Sequence, residues 1–522
     1  MRMPATMIIP PTLPNGHNAV MYEIFVQSFA DSNGDGIGDI RGMTAKLDYL
    51  QDLGIQGIWL MPIMPSPSYH KYDVTDYYGI HPDYGTMDDF KVFVSEAHKR
   101  NIKVVIDMII NHTSNEHPWF LDAVKSAKSP YRDYYIWETE EEILSTGSLD
   151  KAESGDSGNL TQWHDVRGNE EKFYGFFSGY MPDLNYDNPE VREEMIQIGK
   201  FWLQDIGVDG FRLDAAKHIY EDSRRDDNKN WWIEYRHELE KIKPDVYLVG
   251  EIWDKTENIT PFLHGLGALF NFDLAFSILE SVRNEKSVTA YIHGPSWTID
   301  ENRNFTKGYL DNQALFQREN QEFYDAIFLS NHDQNRIMSA LDGDMAKAKL
   351  AASILLTLPG TPYLYYGEEI GMLGRKPDPN IREPFLWAES LADSLRPKWI
   401  KPEFTHDSSV TPLSIQMADE ESLFNHYKTL IHLRNYSKAL TFGDLQEAGY
   451  GNSSAISYYR NHGEERLLVI HNLTNTPISI QLRDEDTDFT SVIYSNNPDG
   501  DRPENGSVDI VANSTIILKA AE

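Results

Sequence analysis

Apolar residues follow two different spacings along this chain, and the two spacings alternate. Short runs rich in Val, Ile, Leu and Tyr are typical of buried strands, and longer segments with apolar residues at helical spacing separate them. Strands are predicted at residues 21–26, 57–61, 103–109, 210–213, 247–250, 269–272, 326–329 and 362–366. Helices are predicted between them, including 44–53, 88–100, 189–206, 231–242 and 346–358. This order predicts a closed (β/α)8 barrel with its reactive groups at the carboxyl ends of the strands.

Two intervals interrupt the alternation. Residues 112–182 form a long segment rich in Gly, Ser and Tyr, which favours a small domain inserted after the third strand. After a predicted helix at 423–435, short strands at 454–459, 466–470 and 514–518 indicate a C-terminal antiparallel β domain. We therefore expect a barrel formed by residues 1–111 and 183–435, an insert at 112–182 and a β domain at 436–522.

Size and charge narrow the class of protein. A chain of 522 residues with 40% hydrophobic and 12% aromatic residues fits a large folded barrel with appendages. The formal net charge of -34 argues against binding to nucleic acid or to anionic lipid, because both would repel it. No apolar run approaches the roughly 20 residues that span a bilayer. We expect a soluble enzyme that binds neither nucleic acid nor membrane.

The sequence does not decide whether the enzyme is cytoplasmic or secreted. Residues 1–16 lack the basic start, long apolar stretch and cleavage site of a secretory signal. This leaves a cytoplasmic enzyme or a secreted enzyme given without its leader. The sequence contains no Cys, which excludes disulfides and thiolate metal sites but does not choose between these compartments.

Polar residues cluster just beyond four of the predicted strands, where a barrel places its chemistry. The clusters are Asn111 and His112 in DMIINH, Arg212, Asp214, Lys217 and His218 in GFRLDAAKH, Glu251 in VGEIWD, and His332 and Asp333 in FLSNHDQNR. One carboxylate at a strand end is often a structural group. Three of them, after three different strands of one barrel, predict a catalytic site.

The surroundings of the carboxylates suggest their roles in glycoside cleavage. This reaction needs an ionised carboxylate near the anomeric carbon and a protonated carboxyl at the leaving oxygen. Arg212 lies two residues before Asp214, on the same face of the strand, and favours an ionised Asp214 as nucleophile. Glu251 follows the apolar strand YLVG, and partial desolvation would raise its pKa, which favours it as the acid.

These strings, in this order, resemble the signatures of the α-amylase family, glycoside hydrolase family 13. GIWLMPI, MPDLN at 181–185 and LPGTPYLYYGEEIGM resemble further family segments, so the resemblance extends over the whole barrel. It implies a retaining mechanism in which Asp214 attacks the anomeric carbon, Glu251 donates and then accepts a proton, and Asp333 stabilises the charged ring. It also implies the insert, called domain B, and a C-terminal β-sandwich.

The resemblance further implies which residues bind sugars. MPDLN, in place of the QPDLN more usual in oligo-1,6-glucosidases, is similar to a group intermediate between those enzymes and neopullulanases. The residues implied are Tyr72 as a stacking platform, His112 and His332 at the cleavage subsite, Asp378 and Arg382 at the next sugar on the non-reducing side, and Lys217 and His218 on the leaving side.

A loop after the first strand has the spacing of a calcium site. Oxygen donors alternate around Gly36 as in the first part of an EF-hand loop, but Gly42 stands where that loop has Glu, and the loop follows a strand. Resemblance to the DSNGDGIGD loop of related amylases and glucosidases implies a structural Ca²⁺, and a hydrogen-bonded Asx turn is the alternative. The implied ligands are Asp31, Asn33, Asp35, the carbonyl of Ile37, and Asp39. Asn111 and His218 resemble ligands of a second calcium, and we expect no organic cofactor.

The expected function is endo-cleavage of α-1,4-glucosidic bonds in starch or maltooligosaccharides, with transfer to sugar acceptors left open. In family α-glucosidases an Asp three residues before the stacking Tyr grips the terminal glucose. Here that position is Tyr69, which we expect to stack on a continuing chain, unless it only packs within its loop. The alternatives are an exo-acting α-glucosidase or oligo-1,6-glucosidase and, from another class, a non-catalytic barrel scaffold.

Overall fold

A closed barrel of parallel strands forms the centre of the protein. The structure, a computed structural model, describes residues 18–146, 162–390, 392–496, 503–504 and 506–521. Within these residues, eight strands pair with their sequence neighbours, and the last pairs with the first. The strands are β1 (Met21–Ile24), β2 (Gly57–Leu60), β3 (Lys103–Met108), β4 (Gly210–Leu213), β5 (Tyr247–Gly250), β6 (Ala268–Phe270), β7 (Tyr324–Phe328) and β8 (Thr361–Tyr365). The predicted barrel is confirmed.

Two predicted strands end two residues earlier than expected, and four others end one residue earlier. The first was expected to reach Val26, but a short helix, Val26–Phe29, begins there. The sixth was expected to reach Phe272, which instead begins the helix Phe272–Arg283. Asn271 explains the second difference, because its side chain accepts a hydrogen bond from the backbone N–H of Leu274 and caps that helix.

Helices between the strands cover the barrel. The main ones are Ile40–Thr44, Leu47–Leu53, Met87–Lys99, Pro189–Phe201, Arg225–Glu240, Phe272–Arg283, Phe305–Glu319, Met345–Thr357 and Leu423–Tyr436. Two predicted helices differ in detail. In place of one helix at 44–53 the structure has two, Ile40–Thr44 and Leu47–Leu53. The helix predicted at 189–206 ends in a π-helical turn, Trp202–Ile206, which is followed by Gly207 in the left-handed region.

The segment between β3 and β4 contains a small sheet of its own. Its strands, Trp137–Thr139, Trp163–His164 and Glu171–Tyr174, pair in antiparallel fashion. An isolated bridge from His112 to Asp183 joins the two ends of the segment, and a second, from Tyr135 to Leu184, joins its interior to the returning end. The insert therefore leaves and returns to the barrel at the carboxyl end of β3. Residues 147–161 of the expected insert lie outside the described residues.

The C-terminal region forms two antiparallel sheets, as predicted. The larger contains Asp444–Glu447, Ala455–His462, Glu465–Asn472, Ser514–Ala520 and Phe489–Ser495, in that spatial order. The smaller contains Ile478–Gln481, Ser507–Ile510 and Pro503–Glu504. No helix among the described residues is long and apolar enough to cross a bilayer. Residues 1–16, on which the expectation about a secretory signal rests, lie outside the description.

Two buried arginines lie where the barrel meets the C-terminal sheets. Arg434 donates to the carbonyls of Leu356, Leu358 and Gly360 at 3.0, 2.7 and 2.6 Å, at the end of the helix Met345–Thr357. Arg460 donates to the carbonyls of Thr357, Leu440 and Gly443. The carbonyls at the end of a helix carry partial negative charge, so these guanidinium groups are stabilised by backbone dipoles.

Arg434→Leu should therefore destabilise the protein. It leaves three carbonyls in a buried place without their donor, which should lower the free energy of unfolding by at least about 2 kcal/mol. Arg466→Leu is the matched control, since Arg466 is 46% exposed and pairs with Asp488, and its loss should cost less than about 1 kcal/mol. Urea unfolding of both variants checks this, and equal losses would contradict the account.

Candidate active site

A cleft with a volume of about 680 Å³ opens at the carboxyl ends of the barrel strands. It is bounded by loops of the barrel and by residues 177–181 of the insert. Nine of the residues predicted from the sequence line it: Tyr72, His112, Asp214, Lys217, His218, Glu251, Asp333, Asp378 and Arg382. These nine residues come from six separate stretches of the chain and are thus brought into one cavity.

One guanidinium group connects three carboxylates at the base of this cleft. Arg212 on β4 is buried and contacts Asp107 at 2.8 Å, Asp214 at 2.6 Å and Glu251 at 2.9 Å. Asp107 is the register partner of Arg212 on β3, and Glu251 directly follows the end of β5. Three neighbouring strands therefore supply three acids to a single cation.

Glu251 has the protonation behaviour of a proton donor. Burial raises the pKa of its carboxyl to about 7, the Arg212 guanidinium opposes this rise, and Asp214 and Asp333 add to it. A carboxyl with this pKa carries a proton in a large fraction of molecules at neutral pH. It can therefore deliver that proton to an oxygen in the cleft.

Asp333 is held as an anion by two cations. Its Oδ1 accepts from Arg382 at 2.9 Å, and its Oδ2 lies 3.0 Å from Nε2 of His332. Burial would raise its pKa, but the side chain keeps 41% exposure to the cleft, and His332 and Arg382 hold the pKa well below its usual range. A negative charge is thus fixed across the cleft from Glu251.

Tyr69 does not lie among the residues that line the cleft, and its contacts favour the alternative in which the ring packs within its loop. The ring stacks on Trp399 with centroids 5.5 Å apart and meets the edge of Phe25. Its hydroxyl accepts from Arg382 at 3.3 Å. Tyr69 is therefore packed behind Arg382, which also donates to Asp378 at 3.2 Å.

The opposite side of the cleft is built from the loops that follow β4 and β5. Lys217 donates to the carbonyl of Trp253 at 2.9 Å and so joins the two loops. The imidazole of His218 stacks on Phe176 of the insert at 4.0 Å. These predicted residues therefore position the cleft walls as well as lining them.

Several residues that line the cleft or lie beneath it were not predicted from the sequence. His70, Phe177, Trp253 and Lys376 line it. Two buried acids, Glu23 on β1 and Asp107 on β3, lie below it. The pattern contained a sign of these two, because a charged residue in the middle of a buried strand is rare unless it is paired.

The predicted calcium loop folds as a series of Asx turns. Asp31 accepts from the backbone N–H groups of Gly34 and Gly36 at 2.7 and 2.8 Å, and Asp39 accepts from those of Ser32 and Gly42, each at 2.7 Å. Among the described residues no group of three or more His, Cys, Asp or Glu side chains is arranged to hold a metal. The donors in the loop are nevertheless all oxygens, which Ca²⁺ prefers.

At the second predicted calcium position, Asn111 lies beside a buried acid of the insert. Its Nδ2 is 3.3 Å from Asp183 Oδ2, while its buried Oδ1 has no hydrogen-bond partner in the structure. The structure therefore places a free amide oxygen and a carboxylate together where the insert joins the barrel. His218 lies on the insert side of the same cleft.

The fold and the cleft together define a class of protein. A (β/α)8 barrel has gathered a carboxylate paired with an arginine, a carboxyl with a pKa of about 7 and a third, ionised carboxylate at the carboxyl ends of its strands. This is an arrangement of barrel enzymes that cleave glycosidic bonds.

Comparison with known proteins agrees with this class and gives the family. The sequence model described as "Alpha amylase, catalytic domain" matches residues 23–443, and the one described as "Alpha-amylase SusG C-terminal domain" matches residues 456–517. The chain belongs to the α-amylase family of glycoside hydrolases.

Individual relatives span nearly the whole chain. "Alpha-amylase 3" of Dictyoglomus thermophilum is 43% identical over 96% of this chain and 93% of its own length. An "Oligo-1,6-glucosidase" of Parageobacillus thermoglucosidasius is 32% identical over 93% of this chain and 95% of its own. The crystal structure of an alpha-amylase from H. orenii is 39% identical, with a TM-score of 0.83 over 97% of this chain and 100% of that one.

Proposed function

We propose that this enzyme is a retaining α-glucoside hydrolase of the α-amylase type, which cuts α-1,4-glucosidic bonds inside starch or maltooligosaccharide chains. The observation that carries the proposal is the guanidinium of Arg212, which contacts Asp214 at 2.6 Å and Glu251 at 2.9 Å. Two carboxyl groups on one small planar cation lie close together. Retaining enzymes have such closely spaced carboxyl groups, whereas inverting enzymes leave room between them for a water molecule.

In this mechanism Asp214 is the nucleophile and Glu251 the acid and base. Asp214 attacks the anomeric carbon while Glu251 gives its proton to the departing sugar oxygen. Glu251, now ionised, then takes a proton from water as that water attacks the same carbon and releases Asp214. Asp333 is the third member, because its fixed negative charge favours the positively charged ring of the transition state.

The other cleft residues then bind sugars on both sides of the cut. Tyr72 and His112 line the cleft next to Asp214, and Arg382 and Asp378 lie beyond Asp333. Trp253 and Lys217 lie beside Glu251, where the leaving sugar would be. Sugars held by both groups would place the cleaved bond inside the chain rather than at its end.

The arrangement around Arg382 favours endo-cleavage. In family α-glucosidases a carboxylate at position 69 grips the terminal glucose, and Tyr69 offers none, although its ring packs on Trp399. The positive charge of Arg382 is instead shared by Asp333 and Asp378. Similarity to an oligo-1,6-glucosidase over 93% of the chain favours the exo-acting alternative.

The catalytic roles predict the behaviour of two carboxamide variants. Asp214→Asn and Glu251→Gln should each lower kcat by several orders of magnitude without unfolding the protein, because each removes a covalent or a proton-transfer step. Azide should partly restore the activity of Asp214→Gly and Glu251→Ala. The two variants should form glycosyl azides of different anomeric configuration. Near-normal hydrolysis of maltooligosaccharides by either carboxamide variant would refute the assignment.

The position of the cut is decided by maltoheptaose blocked at its non-reducing end. We expect the enzyme to cleave it at a rate close to that of free maltoheptaose, because an endo-acting site does not hold the chain terminus. Chromatography of the products is the measurement. An inert blocked substrate, together with release of glucose from the free one, would establish the exo-acting alternative.

We also propose that the loop from Asp31 to Asp39 binds a structural Ca²⁺, and that Asn111 belongs to a second site. Chelation should then lower the melting temperature and added Ca²⁺ should restore it, because an ion that binds only the folded state stabilises it by mass action. Asp35→Ala should abolish the response of the loop. The proposal is contradicted if chelation leaves the melting curve unchanged, and if the curve is also unchanged after ions are removed from the unfolded protein before it is refolded.

A further inference from the structure

Glu23 is a buried acid that the proposed mechanism leaves without a role. It lies on β1, with 1% of its surface exposed, and its Oε1 is 2.6 Å from Nδ1 of His332, which is fully buried. Burying a carboxylate is costly unless a strong partner compensates it. The nearest partner is an imidazole that also contacts Asp333, at 3.0 Å.

The second ring nitrogen of His332 also faces acceptors. Nε2 lies 2.6 Å from the hydroxyl oxygen of Tyr72 and 3.0 Å from Oδ2 of Asp333. The hydroxyl of Tyr72 also contacts Asp107, at 3.0 Å. Both carboxylate oxygens of Asp107 accept from Arg212 as well.

Both nitrogens of His332 therefore need a proton. A neutral imidazole has one N–H and one bare nitrogen, and the bare nitrogen would meet an acceptor oxygen at either position. Only the doubly protonated ring donates to Glu23 on one side and to Tyr72 and Asp333 on the other. The two carboxylates, Glu23 at Nδ1 and Asp333 at Nε2, therefore favour the cation.

We propose that Glu23 is a positioning residue that keeps His332 doubly protonated, so that His332 in turn keeps Asp333 ionised and fixed in the cleft. Glu23 is not among the residues that line the cleft and acts through His332. The inference rests on the proposed function, because it gives Asp333 the task of stabilising a cationic ring.

The charges around His332 support this role. Burial alone would lower the pKa of its imidazole, but Asp333 and Glu23 raise it to about 9. Neighbouring strands also contribute groups to this environment. The titratable and charged groups that surround the ring are Glu23 and, beside it, Tyr363 and Tyr365, then Tyr72, Asp107, Arg212, Glu251, Asp333 and Arg382.

Glu23→Gln is the decisive variant, because it removes the charge and keeps the shape. The carboxamide oxygen can still accept from Nδ1 of His332, so packing alone predicts little change. Loss of one of the two carboxylates that favour the cation should let His332 lose its proton at lower pH. Glu23→Asp keeps the charge and tests the effect of shape alone.

The measurement is the pH profile of kcat/KM for α-maltosyl fluoride. Fluoride departs without a proton from Glu251, so the decline at high pH does not report that residue. We expect the wild-type decline near pH 9, where His332 titrates, and a decline in Glu23→Gln at least about one pH unit lower. Glu23→Asp should decline close to the wild type.

Glu369→Gln is the matched control. Glu369 is equally buried and binds the hydroxyls of Tyr22 and Tyr49, so the same change there should leave the profile in place. The inference is overturned if the kcat/KM values of Glu23→Gln and Glu369→Gln decline at the same pH as that of the wild type. It is also overturned if Glu23→Asp shifts as far as Glu23→Gln, since shape would then explain the effect.

A second measurement is made on the wild-type protein and needs a variant only to assign the signals. In wild-type protein labelled with ¹⁵N-histidine, both ring nitrogens of His332, assigned with His332→Asn, should show attached protons at neutral pH. A neutral imidazole signal would overturn the inference. The proposed function fails by a different result, near-normal hydrolysis by Asp214→Asn or Glu251→Gln, so the two failures are distinguishable.

Discussion

The site depends on one buried cation. Arg212 holds Asp107, Asp214 and Glu251, which would repel one another if all three were ionised without it. Removing one partner of a buried ion pair typically costs 3–5 kcal/mol, and here one partner serves three. The parallel sheet makes this possible, because direct pairing places β3, β4 and β5 side by side with Asp107 and Arg212 in register.

A second charged network supports the other side of the cleft. Glu23, His332, Asp333 and Arg382 alternate in charge from the buried centre of the barrel to the open cleft. The hydroxyl of Tyr72 connects the two networks, since it contacts both His332 and Asp107. The carboxylates that the proposed mechanism uses are therefore held from behind by buried groups, and their other side faces the cleft.

The walls of the cleft come from segments outside the barrel strands. Phe176 of the insert covers His218, and the indole of Trp253 donates to the carbonyl of Gly294 at 2.9 Å. Gly294 lies at the turn of an antiparallel hairpin, Thr289–His293 and Ser296–Asp300. The chemistry is thus anchored in rigid strands, while the shape of the cleft is set by loops that can vary without disturbing it.

The sequence by itself determined the barrel, the order of its strands and the carboxylates at their ends, because burial on both faces leaves a continuous apolar run that a local pattern reveals. It also determined the pairing of Arg212 with Asp214, because residues two apart on a strand share a face. Tertiary structure decided the rest. No local pattern indicated that the ring of Tyr69 would stack on Trp399, which lies 330 positions later in the chain. Glu23 and His332 are 309 positions apart. No local pattern could show that closure of the barrel would bring their side chains into contact.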